Sequence, residues 1–171
     1  MLNEQLSTFH PMAVSNLIQP RSRVFAGKRT FTIVASQFNA SYVQGLVNHL
    51  TEELRRLAPH GVITLHQVPG AFEIPVVVRE LAAKKKADAI IAMAVILKGR
   101  TNHAEHLGRS VTDALQRIAV DHGVPVINTV LCLDNETQAR ERCLQDKINR
   151  GTEAARAAVE IASVMSELRG K

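Results

Sequence analysis

Three features of the sequence predict a three-layer α/β fold, a four-stranded parallel sheet covered by helices on both faces. Short β-type runs alternate with stretches of helical periodicity from residue 30 onward. The run Ala89–Leu97 is almost wholly apolar, as a central strand buried on both sides must be. A length of 171 residues with 46% hydrophobic and 22% charged residues suits one domain with one continuous core. Parallel strands joined by helices need right-handed crossovers, which put helices on both faces of the sheet.

The elements follow in order. Residues 31–35 are a buried-strand candidate, and Ser41 with Gln44 reads as a capping box ahead of Val43, Leu46, Val47, Leu50, Leu54 and Leu57, whose spacing is helical. Pro59 and Gly61 stop that helix, and Val62–Val68 alternates as a second strand. Ile74, Val77, Val78 and Leu81 mark a second helix with Pro75 in its first turn. Beyond the third strand, Leu107, Val111, Ala114, Leu115 and Ile118 form the apolar stripe of a third helix, ended by Gly123 and Pro125 before a fourth strand over 126–131. Two helices close the chain, one starting near Asn135 and one from about Thr152 with Ala155, Ala158, Val159, Ala162 and Met165 on one face. Residues 1–28, carrying Pro11 and Pro20 and no secretory apolar core, read as an extended arm ahead of a single domain over 29–171.

The composition argues against several function classes. A net charge of +5 favours anionic partners. The basic residues are scattered, however; Lys84, Lys85 and Lys86 are the one run of three, and one Tyr with no Trp leaves no stacking surface for nucleic acid. No apolar stretch reaches membrane-spanning length, so no membrane partner is expected. Cys132 and Cys143 fit neither a CxxC nor a zinc spacing, so no metal is expected and a reducing, cytoplasmic compartment is.

Ligands of open parallel sheets bind at the carboxyl ends of the strands. Those ends hold no GxGxxG, P-loop or GxSxG. They do hold Gly99-Arg100-Thr101-Asn102-His103, which sets a hydroxyl and an imidazole at a helix amino terminus suited to an anion. His103 is there the candidate proton shuttle. Phe38 and Phe72 stand at two strand tips, where rings left out of the core sandwich a planar heterocycle, and Glu73 is placed to accept from polyol hydroxyls. Arg142 and Arg150 flank a helix junction from which both forks reach one phosphate. Plainer readings stand beside each: a packed helix start for His103, core rings for the phenylalanines, a first-turn carboxylate for Glu73 and surface arginines for the pair.

Together, Phe38-Asn39, Val68-Pro69-Gly70-Ala71-Phe72-Glu73-Ile74-Pro75, Asp88-Ala89-Ile90-Ile91, Lys98-Gly99-Arg100-Thr101-Asn102-His103, Gly123-Val124-Pro125-Val126, Gln138-Ala139 with Arg142, and Asn149-Arg150-Gly151-Thr152-Glu153 resemble the 6,7-dimethyl-8-ribityllumazine synthase family in order and spacing over about residues 30 to 168. The resemblance implies a flavodoxin-like sheet of order 2-1-3-4. It implies a cofactor-free, metal-free condensation of 5-amino-6-(D-ribitylamino)uracil with 3,4-dihydroxy-2-butanone 4-phosphate. Carried over by position, Phe38 stacks on the uracil with Asn39, Leu97 and Asn128 beside it, Ala71, Phe72 and Glu73 hold the ribityl chain, and Val95 and Ile96 offer backbone hydrogen bonds. Arg100, Thr101, Arg142 and Arg150 receive the phosphate, and His103 moves protons. Implied partners are further copies of the chain, as a pentamer or an assembly of pentamers with sites between subunits, and riboflavin synthase is a candidate protein partner.

The sequence departs from the family pattern within the implied site. Arg100 replaces a small residue, Asn128 an aromatic, Met93-Ala94 a Leu-Gly pair, and Arg150 a lysine. Two rival classes remain open: a non-catalytic relative that binds flavin or lumazine, and a basic nucleic-acid-binding module with steep salt dependence.

Overall fold

The computed structural model describes residues 28–170, so all of the expected arm except Lys28 lies outside the described residues. Four strands, β1 (Thr30–Ser36), β2 (Val62–Val68), β3 (Ala89–Leu97) and β4 (Val126–Leu133), form one parallel sheet in the order β2-β1-β3-β4. Its register pairs Thr30 with Val62, Phe31 with Ala89 and Ile90 with Val126. Five helices cover it: α1 (Ala40–Leu57), α2 (Ile74–Ala83), α3 (His103–His122), α4 (Glu136–Cys143) and α5 (Arg150–Leu168).

The expected single core is instead two, one on each face of the sheet, because side chains alternate along the central strands with a period of two. Odd-numbered Phe31, Ile33, Ile91, Met93 and Val95 pack with α1, α4 and α5, while Val34, Ile90, Ala92, Ala94 and Ile96 face α2 and α3. From α1, Leu46, Leu50, Leu54 and Leu57 are all at most 2% exposed, each burial contributing about 1.5–3 kcal/mol. The close approach of α1 to α5 uses Gly151, where a Cβ would stand 2.3 Å from the Leu46 carbonyl oxygen. The same pair of helices is tied by Glu53, whose carboxylate accepts from Arg56 Nε and Nη2 at 2.8 Å each and from Arg156 Nε at 2.7 Å. Those charged hydrogen bonds, led by Arg56, outweigh burial and hold the Glu53 carboxyl down at about 2.

Most local expectations hold to within a few residues: Pro75 lies in the first turn of α2, and Gly123 ends α3 in the left-handed region at φ 63. One differs in kind. Ser41 and Gln44 make no capping box, because α1 begins at Ala40 with Asn39 as its cap in a left-handed conformation at φ 55. The sharp corner out of β1 is turned by Asn39, which leaves Ser41 inside the first turn, and Gln44 bonds Asn48 instead. Likewise β4 runs two residues further than expected, to Leu133, and α5 begins at Arg150 rather than Thr152, capped by Asn149 Oδ1 accepting from Gly151 N–H at 2.8 Å.

Candidate active site

Each strand tip presents its residues for a local reason. After β1, the Gln37 N–H donates to the Val68 carbonyl at 2.8 Å, Ser36 Oγ donates to the Phe38 carbonyl at 3.3 Å, and Asn39 Nδ2 donates to the Val95 carbonyl at 2.8 Å. Phe38 is left 70% exposed, so its ring is no part of the core. After β2, Gly70 leads into a helical turn, Ala71–Glu73, that leaves Phe72 67% exposed. A Cβ on Gly70 would come within 2.9 Å of Glu73 Oε2, which places that carboxylate directly over the glycine. After β3, the loop 98–102 delivers exposed His103 as the first residue of α3, with its N–H facing Thr101 Oγ1 at 3.5 Å.

These tips enclose a mainly apolar cavity of about 450 Å³. It brings together Phe38, Asn39, Ala71, Phe72, Glu73, Val95, Ile96, Leu97, Thr101 and His103, ten of the residues named from the sequence. Ser36, Gly70, Gly99, Ala104 and Leu107 complete its wall. Leu107 is hidden in the apolar stripe of α3, while Gly70 belongs to the motif over residues 68–75. Arg100 is exposed at the bend between Gly99 and Thr101, which do line the cavity.

Asn128, Arg142 and Arg150 are elsewhere. They line a second, more polar cavity of about 670 Å³ along β4, α4 and α5, with Asp134, Gln138 and Glu153, and it shares no lining residue with the first. Arg142 makes no ion pair among the described residues, whereas Arg150 is bound to Glu153. Asn128 holds its own fold together: Nδ2 donates to Thr112 Oγ1 at 3.1 Å and Oδ1 accepts from the Val130 N–H at 3.0 Å. Thr112, one turn along α3 from Gly108, carried no sequence signal. A third hollow of about 400 Å³, lined by Thr101, Asn102, Glu105, Arg109 and Asp134 among others, lies between the two, and there Lys98 approaches Asp134 at 3.8 Å.

Neither cysteine is a ready nucleophile. Burial raises the Cys132 thiol and pushes Cys143 up to about 11, far above the range in which thiolate forms at neutral pH. Among the described residues no group of three His, Cys, Asp or Glu side chains could hold a metal ion, and no helix is long and apolar enough to cross a membrane.

An open parallel sheet whose tips converge on an apolar cavity, with a few polar groups aimed into it, places the chain among the doubly wound α/β proteins that handle small molecules. Residues 28–166 match the family model for 6,7-dimethyl-8-ribityllumazine synthase. A protein of that name from Azoarcus sp. (strain BH72) is 38% identical over 138 residues, covering 80% of this chain and 85% of the relative. The chain therefore belongs to the 6,7-dimethyl-8-ribityllumazine synthase family, transferases of riboflavin biosynthesis.

Proposed function

We propose that this protein condenses 5-amino-6-(D-ribitylamino)uracil with 3,4-dihydroxy-2-butanone 4-phosphate to 6,7-dimethyl-8-ribityllumazine, releasing one phosphate and two waters. The observation that carries the reading is the first cavity, in which two exposed phenylalanine rings, a carboxylate and the imidazole of His103 line one apolar hollow. Phe38 stacks on the pyrimidine, backbone groups of Val95 and Ile96 fix its edge, and Phe72 with Glu73 holds the ribityl chain. The 5-amino nitrogen attacks the ketone and water leaves as the imine forms. Phosphate is then eliminated, and attack of the ribitylamino nitrogen on the resulting carbonyl closes the ring with loss of the second water. His103 shuttles the protons of these steps. Holding both reactants together supplies much of the rate, as expected for a site without a covalent intermediate.

The phosphate lies against the Thr101 backbone at the amino end of α3 and against the Arg142 fork. Because Arg142 and His103 line separate cavities in one chain, we place the complete site between two copies, the first cavity of one facing the second cavity of its neighbour. Mixing the impaired variants His103→Ala and Arg142→Ala, assayed with the phosphorylated ketone at a concentration too low to saturate Arg142→Ala, tests this. In randomly assembled oligomers about one site in four regains both wild-type groups, so lumazine formation should return to roughly a quarter of the wild-type level. No recovery after subunit exchange would mean that each chain completes its own site, through the hollow beside Asp134.

A further inference from the structure

The corner after β1 contains an asparagine doing an unusual job. An asparagine at a helix cap ordinarily accepts from the N–H of the second or third helical residue. Asn39 makes no such side-chain bond, although its carbonyl accepts from the Tyr42 and Val43 N–H groups at 3.1 and 3.2 Å. Its backbone is left-handed at φ 55, ψ 44, a conformation that asparagine tolerates better than most residues. That turn directs the amide away from its own helix and across the sheet, onto the Val95 carbonyl 56 residues away.

The neighbouring contacts give the geometry its meaning. Gln37 is fixed to the tip of β2 through Val68, the Phe38 carbonyl is held by Ser36 of β1, and Asn39 is fixed to the tip of β3 through Val95. Between these anchors stands Phe38, whose largely exposed ring has little packing to orient it. A ring in water contributes to stacking only to the extent that it is already held where the ligand arrives. Val95, the acceptor, is itself buried in the β3 core and lines the same cavity.

We propose that Asn39 is a positioning residue, whose amide locks the β1 corner to β3 and so fixes Phe38 over the cavity, rather than a group that binds substrate. The proposal rests on the reading of this cavity as the ribitylaminouracil site, and its two halves are testable apart.

In the ligand-free protein labelled with 4-fluorophenylalanine, the Phe38 resonance is identified by its loss in Phe38→Leu. Asn39→Gly keeps access to the left-handed corner and removes the amide; Asn39→Asp keeps the shape and removes the donor. Both should shift and broaden the Phe38 resonance while leaving the other ring signals in place and the melting midpoint within about 4 °C of wild type. An unchanged Phe38 resonance in both variants overturns the clamp, whatever the protein binds. In steady-state assays, both variants should raise KM for the ribitylaminouracil about five- to twentyfold with the KM for the phosphorylated ketone within about twofold, and in a Phe38→Ala background Asn39→Gly should add less than about twofold. Equal losses for both substrates, or full additivity with Phe38→Ala, would overturn action through Phe38. A moved resonance in a protein with no affinity for the ribitylaminouracil would instead uphold the clamp and overturn the reading of the cavity.

Discussion

Replacing Glu53 by glutamine removes the one charge that the α1–α5 contact is built to hold. The carboxylate sits at the centre of three charged hydrogen bonds, from Arg56 on its own helix and Arg156 on α5, and its side chain is only 10% exposed. A carboxyl held at about 2 in the fold instead of 4.5 corresponds to a ceiling of about 3 kcal/mol at neutral pH. The guanidiniums are 54% and 43% exposed, so solvent screening brings the expected contribution down to about 2 kcal/mol. The folded protein prefers the ionised form; the stabilisation is complete above about pH 4.5 and is lost as pH falls toward 2. Since Glu53→Gln does not titrate, the stability gap between wild type and variant should be about 2 kcal/mol near pH 7 and more than half closed by about pH 3. Urea unfolding at fixed protein concentration across that range measures it. A gap that stays constant from neutral pH to pH 3 would refute the electrostatic account and leave only packing.

Other outcomes follow from particular contacts. Gly151→Ala drives a methyl into the backbone of α1 at Leu46, which cannot rotate away, and should cost about 1–3 kcal/mol in the same unfolding assay. His103→Ala should lower turnover about 10- to 1000-fold with KM values within a fewfold, the pattern of a lost proton shuttle, measured by steady-state kinetics. Arg142→Ala should weaken the phosphorylated ketone by about 1.5–3 kcal/mol and leave the ribitylaminouracil nearly unaffected, as calorimetric titration of each would report.

What could be read in advance follows the range of the interactions. Strand β3 announced itself because both its faces are buried, and the stripes of α1 and α3 because one side of each helix meets the core. The cavity at the tips was legible for a topological reason: in a parallel sheet every carboxyl end emerges on one edge, so Phe38, Phe72 and His103 had to be neighbours once the strands were placed. Contacts between distant segments were not legible. Neither the Asn39 amide on Val95 nor the Asn128 amide on Thr112 leaves a periodic trace, and the capping box at Ser41 lost to a left-handed corner that only the turn out of β1 demands. Of the arginines expected at the phosphate, Arg142 and Arg150 line their own cavity along β4, the edge strand on the far side of β3 from β1.

The central claim is that the cavity at the strand tips joins two small molecules. Incubating the purified protein with 5-amino-6-(D-ribitylamino)uracil and 3,4-dihydroxy-2-butanone 4-phosphate, while following lumazine absorbance and phosphate release together, tests it most directly. Enzyme-dependent formation of lumazine with one phosphate released per molecule is the expected result. Tight binding of ribitylated ligands with no lumazine formed above the uncatalysed background would contradict it, and would make the protein a binding relative in which the pocket survives without the chemistry.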